Sequence, residues 1–115
     1  MIENLKRGDV VLVDFGVAER LKIDIKRTCV IIQNNEFGTK SGTTVVAEIF
    51  RPDNDDLIFR PGDVWINRDE GDFFCVICDK IHKIGKYQII EKLFSLNTIH
   101  LDKIDRTLKK ILALE

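Results

Sequence analysis

The stretch KRTCVIIQNN, residues 26–35, opens on two cations, runs through mostly β-branched residues and ends in three side-chain amides. Its apolar centre is continuous rather than alternating, so TCVIIQN (28–34) reads as a strand buried on both faces. Arg27 then stands where the strand begins. A rigid planar guanidinium suits a phosphate, whereas an ordinary ion pair with a neighbouring Asp or Glu needs less from the fold. The local sequence alone favours the ion pair.

Moving outward, DVVLVDF (9–15) is a β-branched run entered from the turn-like RGD, a second strand signal. The connection GVAERLKIDIK (16–26) mixes charges with isolated apolar residues and predicts a mobile loop. EFGTKSG (36–42) predicts a turn, and TTVVAEIF (43–50) a strand. Proline and acidic residues interrupt the pattern at RPDNDD (51–56) and at Pro61-Gly62, so DVWIN (63–67) is a short fourth strand. FFCVICDKI (73–81) is a fifth, and alternation from Ile84 to about Ser95 predicts a sixth. Leu101, Ile104, Leu108, Ile111 and Leu112 instead recur at helical spacing, with Asp, Lys and Arg between them. Asn97 is the expected N-cap, with Leu96 stapled onto Leu101. Strands followed by one terminal helix predict a mainly β fold, a compact and mostly antiparallel barrel with the helix laid across it.

At 115 residues the chain is expected to form a single domain. With 18 basic and 19 acidic residues the net charge is −1, which argues neither for nor against a polyanionic partner. The charge is segregated, with Asp concentrated in 52–72 and Lys after Phe73. No apolar run is long enough for a membrane span. The start MIENLKRGD lacks the apolar centre and cleavage site of a signal peptide, and three cysteines make an odd count, so a cytoplasmic location without disulfides is expected. Cys75 and Cys78 form a C-x-x-C, but residues three apart on a strand face opposite ways and cannot share a metal. With two histidines, no glycine-rich phosphate loop and no Gly-x-Ser-x-Gly elbow, neither a metal nor another cofactor is expected.

Taken in order, RGDVVLVDF, RTCVIIQNN, SGTTVVAEI, CVICDKIHKIGK and LDKIDRTLKKILAL resemble the MazF/PemK (Kid) toxins of bacterial toxin–antitoxin pairs. The corresponding family stretches are R-G-D/E-I/V, R-P-V-L-V-I-Q-N, S-P-T-V-I-V-A and I-L-L-E-Q-I-R-T-I-D strands and an amphipathic terminal helix. The resemblance runs nearly end to end. It implies an SH3-like antiparallel β-barrel of the MazF/Kid/CcdB type, a homodimer, metal-independent cleavage of single-stranded RNA, and inhibition by the acidic C-terminal tail of a cognate antitoxin. The chemistry implied is attack by a ribose 2′-hydroxyl on the adjacent phosphate, which needs a base, an acid and a cation over the phosphorane.

Arg27 falls on the family's catalytic arginine. The threonine that pairs with it in MazF falls at Phe50, and the Arg-x-Asp of the Kid branch at Ile77 and Asp79, of which only the aspartate survives. The family's proline after the arginine is Thr28, its E-Q is Asp79 and Lys80, and its next arginine is His82. The proton work is therefore expected from Glu48, Asp79 or His82, with Arg27 and Lys80 on the phosphate. Phe50 becomes a stacking platform or plain core, and Thr28, Asn34, Asn35 and Lys40 complete the expected RNA contacts. A catalytically silent binding barrel is the alternative reading, and a CcdB-like gyrase poison a weaker one, since the single tryptophan, Trp65, lies outside the terminal helix.

Overall fold

The computed structural model describes residues 2, 4–18, 22–38, 41–52, 59–69 and 71–114. Six antiparallel strands, β1 (Asp9–Ala18), β2 (Ile23–Ile31), β3 (Thr43–Phe50), β4 (Asp63–Asp69), β5 (Asp72–Gly85) and β6 (Ile89–Ser95), form one curled sheet in the order β4-β5-β3-β2-β1-β6. A short helix α1 (Asn35–Gly38) follows β2, a 3-10 turn (Lys86–Gln88) separates β5 from β6, and α2 (Thr98–Ile111) ends the fold. The result is a half-barrel of the expected mainly β type with its terminal helix.

Three expectations about elements need correction. The predicted mobile loop at 16–26 is largely strand, because Val17 pairs with Asp24 and Ala18 with Ile23, which extends the β1–β2 hairpin and puts Arg27 inside β2 rather than at its start. Asn34 also leaves the ladder: its side-chain oxygen accepts the Glu36 N–H at 2.8 Å, an Asx turn that starts α1 where a plain turn was expected. Likewise Ile84 and Gly85 belong to β5, and the chain turns at 86–88 before β6 begins.

The sheet buries both faces, as the apolar run of β2 requires. Val30 joins Val10, Ala47, Ile66, Phe74 and Val76 under α2, whose Ile104 is fully buried. Cys29 and Ile31 join Val11, Val13, Val46, Ile84 and Ile89 on the other face, with Phe15, Ile2 and Leu5 packed alongside. Asn97 caps α2 by accepting the His100 N–H at 2.9 Å, and buried Leu96 shares a cluster with Leu101.

The RGD turn ties these layers together. Arg7 donates to the Ile32 carbonyl at 3.0 Å and pairs with Asp105 on α2. Gly8 (φ +92°) lies where a Cβ would stand 2.9 Å from Leu101. Asp9, fully buried, accepts from the Lys6 N–H at 2.9 Å and the Ser95 hydroxyl at 2.7 Å.

Candidate active site

Alternation along β3 puts Thr44, Val46, Glu48 and Phe50 on the face away from α2. The register places Cys29 of β2 opposite Glu48, and His82, Ile77 and Cys75 of β5 opposite Val46, Glu48 and Phe50. Two residues before Cys29 on the same face of β2 comes Arg27. These positions converge on one carboxylate: Glu48 Oε2 lies 2.6 Å from His82 Nε2, and Glu48 Oε1 lies 3.7 Å from Arg27 Nε. Glu48 is 9% exposed, whereas the Arg27 side chain is 54% exposed and that of His82 37%. A buried carboxylate is costly unless paired, and here each oxygen has its own nitrogen partner. The edge of Phe15 meets the His82 ring, centroids 5.1 Å apart. Beneath them the Cys29 thiol is pushed up to about 12 by burial and then by Glu48, with Arg27 opposing.

Between Ala47 and Glu48 the register on β5 jumps from Ile81 to Ile77, so Cys78, Asp79 and Lys80 form a bulge with no partner on β3. The Cys78 N–H turns instead to the Gly62 carbonyl at 2.9 Å. Consequently Asp79 does not reach Arg27 or Glu48, contrary to expectation. It faces Pro61, Gly62 and the end of α2, in a separate cavity with Lys110 and Ile111. Lys80 goes to the other side and lines a cleft of about 440 Å³ with Phe50, Arg60, Asp63, Trp65 and Ile77. Phe50 is 47% exposed there and is not core.

The remaining sequence candidates are dispersed. Thr28 pairs with Leu12 and, one residue from Arg27, faces the other way. Asn34 and Asn35 line a cavity of about 300 Å³ beyond the opposite end of β2, where Asn35 accepts the Arg7 N–H at 2.7 Å. They are not brought to Arg27. Lys40 lies outside the described residues. Cys75 borders the Phe50 cleft while Cys78 sits in the core under α2, so the two sulfurs diverge as the strand spacing requires. Burial pushes the Cys75 thiol up to about 11 and that of Cys78 to about 12, with Asp63 adding to both. Among the described residues no group of three His, Cys, Asp or Glu side chains could hold a metal.

Sequence reasoning passed over Phe15, Arg60, Asp63 and the cleft role of Trp65. Isolated aromatics in short strands look like core, and only the β4–β5 pairing aligns Trp65 with Cys75 beside Phe50. Trp65 stacks on Phe73 at 5.0 Å, and its buried Nε1 has no hydrogen-bond partner.

Residues 6–112 match the model of the PemK-like, MazF-like toxins of type II toxin–antitoxin systems. The chain belongs to that family. No curated protein matches this PemK/MazF-family chain. Among solved structures it is similar to a mycobacterial endoribonuclease in complex with its cognate antitoxin, at 20% identity and a TM-score of 0.80 over 97% of this chain and 98% of that one. A second mycobacterial endoribonuclease aligns at 18% identity, TM-score 0.76, over 98% and 95%. MazF from Deinococcus radiodurans aligns at 14% identity, TM-score 0.73, over 95% and 96%. These likenesses establish the MazF fold from end to end. No described helix of the chain is long and apolar enough to cross a membrane.

Proposed function

We propose that this PemK/MazF-family toxin is a metal-independent endoribonuclease acting on single-stranded RNA, with Arg27, Glu48 and His82 as its catalytic group. The observation that carries the reading is the 2.6 Å contact between Glu48 Oε2 and His82 Nε2 beside an exposed Arg27 guanidinium. A carboxylate only accepts, so in this reading His82 donates to it through Nε2–H, and the neutral ring then has the Nδ1 lone pair to act as base. Glu48 thereby takes the role of the residue that orients a catalytic imidazole.

In the proposed step the 2′-hydroxyl loses its proton to His82 Nδ1 as the 2′ oxygen bonds to phosphorus. The P–O5′ bond breaks, leaving a 2′,3′-cyclic phosphate. Arg27 neutralises the charge that builds on the phosphorane oxygens. Lys80, which lines the same cleft as Phe50, gives a proton to the departing 5′ oxygen and regains one from water. In this reading His82 takes over the proton work left vacant by Phe50, and the placement of Asp79 beside Gly62 and Ile111 supports His82 over Asp79.

The same reading carries the family's partners to this chain: a second copy forming a homodimer, a cognate antitoxin whose acidic tail blocks the groove, and a cytoplasmic site of action. The test is incubation of the purified protein with mixed single-stranded RNA in EDTA. Cleavage leaving 2′,3′-cyclic phosphate and 5′-hydroxyl ends, slowed at least about a hundredfold by Arg27→Ala and by His82→Ala, is the expected result. RNA left intact by a protein that still binds it would establish the catalytically silent barrel instead.

A further inference from the structure

Tyr87, in the 3-10 turn after β5, is 81% exposed yet held in place. Its ring lies across the Cα of Gly85, where a Cβ would stand 2.2 Å from Cε1 and 2.6 Å from Cδ1. Gly85 has φ −76° and ψ 140°, an extended conformation open to any residue, so the ring rather than the backbone requires glycine. Gln88 fixes the turn from both ends: its Oε1 accepts the Gly85 N–H at 2.7 Å and its Nε2 donates to the Asp14 carbonyl at 3.0 Å. An aromatic face pinned in water gains little for folding, but it meets a flat ligand with little further loss of side-chain freedom.

What lies beside the ring identifies the ligand. Tyr87 and Gln88 form a cavity of about 260 Å³ with Asp14, Phe15 and Gly16. Phe15, which lines this cavity, also meets the His82 ring, so the cavity lies one side chain from the catalytic group. The Asp14 carboxylate, which accepts the Gly16 N–H at 2.8 Å, repels a phosphate and leaves a neutral planar group as the fitting occupant. We propose that Tyr87 is the stacking platform for an unpaired nucleobase flanking the scissile phosphate, an assignment that rests on the RNA-cleaving reading above.

The experiment uses a 2′-O-methyl RNA of about a dozen mixed nucleotides, which cannot be cut, carrying 2-aminopurine in place of single bases. Wild type is expected to bind it and quench the probe at one position. Tyr87→Ala should weaken binding roughly tenfold and lose that quench, whereas Tyr87→Phe should match wild type. Gly85→Ala, which displaces the ring, should fall between them. On the unmodified RNA the Tyr87→Ala effect should appear in KM with kcat held. Equal affinities for wild type and Tyr87→Ala overturn the proposal, as does absence of binding by wild type or a drop in sedimenting mass in Tyr87→Ala, which would make the ring a contact between copies. Should wild type fail to cut while Tyr87→Ala still loses binding, the platform stands and the nuclease reading falls.

Discussion

Glu48 shows how one buried charge organises exposed ones. Its oxygens face His82 and Arg27 from neighbouring strands, and both partners remain open to solvent. On the proposed mechanism, replacing Arg27 with Ala removes phosphorane stabilisation and leaves Glu48 Oε1 without its partner: kcat should fall by about 10²–10³, the scale of a lost preorganised donor, with a modestly lowered urea midpoint. Single-turnover cleavage measured beside a urea titration checks both halves. The three thiols make a second prediction at this scale. With Cys29 and Cys78 pushed up to about 12 and Cys75 to about 11 by burial, no appreciable thiolate forms near neutrality. Native protein at neutral pH should resist iodoacetamide, and mass spectrometry should find all three cysteines of the chain alkylated once urea is added.

At the level of elements, α2 was legible because five apolar residues recur at its period and Asn97 supplies a side-chain oxygen at its start. β3 was legible to the residue, bounded by glycine on one side and proline on the other. The tip of the β1–β2 hairpin was not, since Val17, Ile23 and Lys26 are all exposed and show no face to read. Nor was the β5 bulge, whose unpaired residues look in sequence like any others; this is why Asp79 was expected beside Arg27 and lies elsewhere. Glu48 and His82 were readable as candidates, but their contact depends on the register on the far side of that bulge. Two predictions belong here. Gly8→Ala places a side chain at φ +92° and 2.9 Å from Leu101, so it should cost about 1–3 kcal/mol in urea titrations. His100, at the start of α2, has its pKa lowered from 6.5 by burial, then by Lys103 and Arg68, and its buried Nδ1 has no partner. The unfolded chain then binds more protons than the fold once the pH drops below about 6.5, so this histidine's contribution to stability is present above that pH and lost beneath it. His100→Gln should lose less stability than wild type between pH 7.5 and 5.

The whole molecule poses a question that no single strand answers: what closes the half-barrel, given that the strand order runs from β4 at one edge to β6 at the other. Side chains supply the seam. Phe74 of β5 meets Phe94 of β6 with centroids 5.9 Å apart, and the Arg68 guanidinium of β4 lies 3.5 Å above the Phe94 ring. Arg68 also donates to Asp72 at 2.8 Å, which holds its plane over the ring while the aliphatic stem stays in the seam. Only a flat, permanently charged group can stack and pair in this way. Arg68→Ala should therefore cost about 1–2 kcal/mol, and Arg68→Lys should recover less than half of it. Hydrogen exchange should quicken in β4 and β6 while the β2–β3 ladder under Arg27 and Glu48 keeps its protection. Because β4 carries Asp63 and Trp65 of the Phe50 cleft, the loosened edge should raise KM for RNA and leave kcat near wild type. Exchange that quickens equally in all strands would instead mean that the seam is no separate unit, and that the curl of the sheet is set by the core alone.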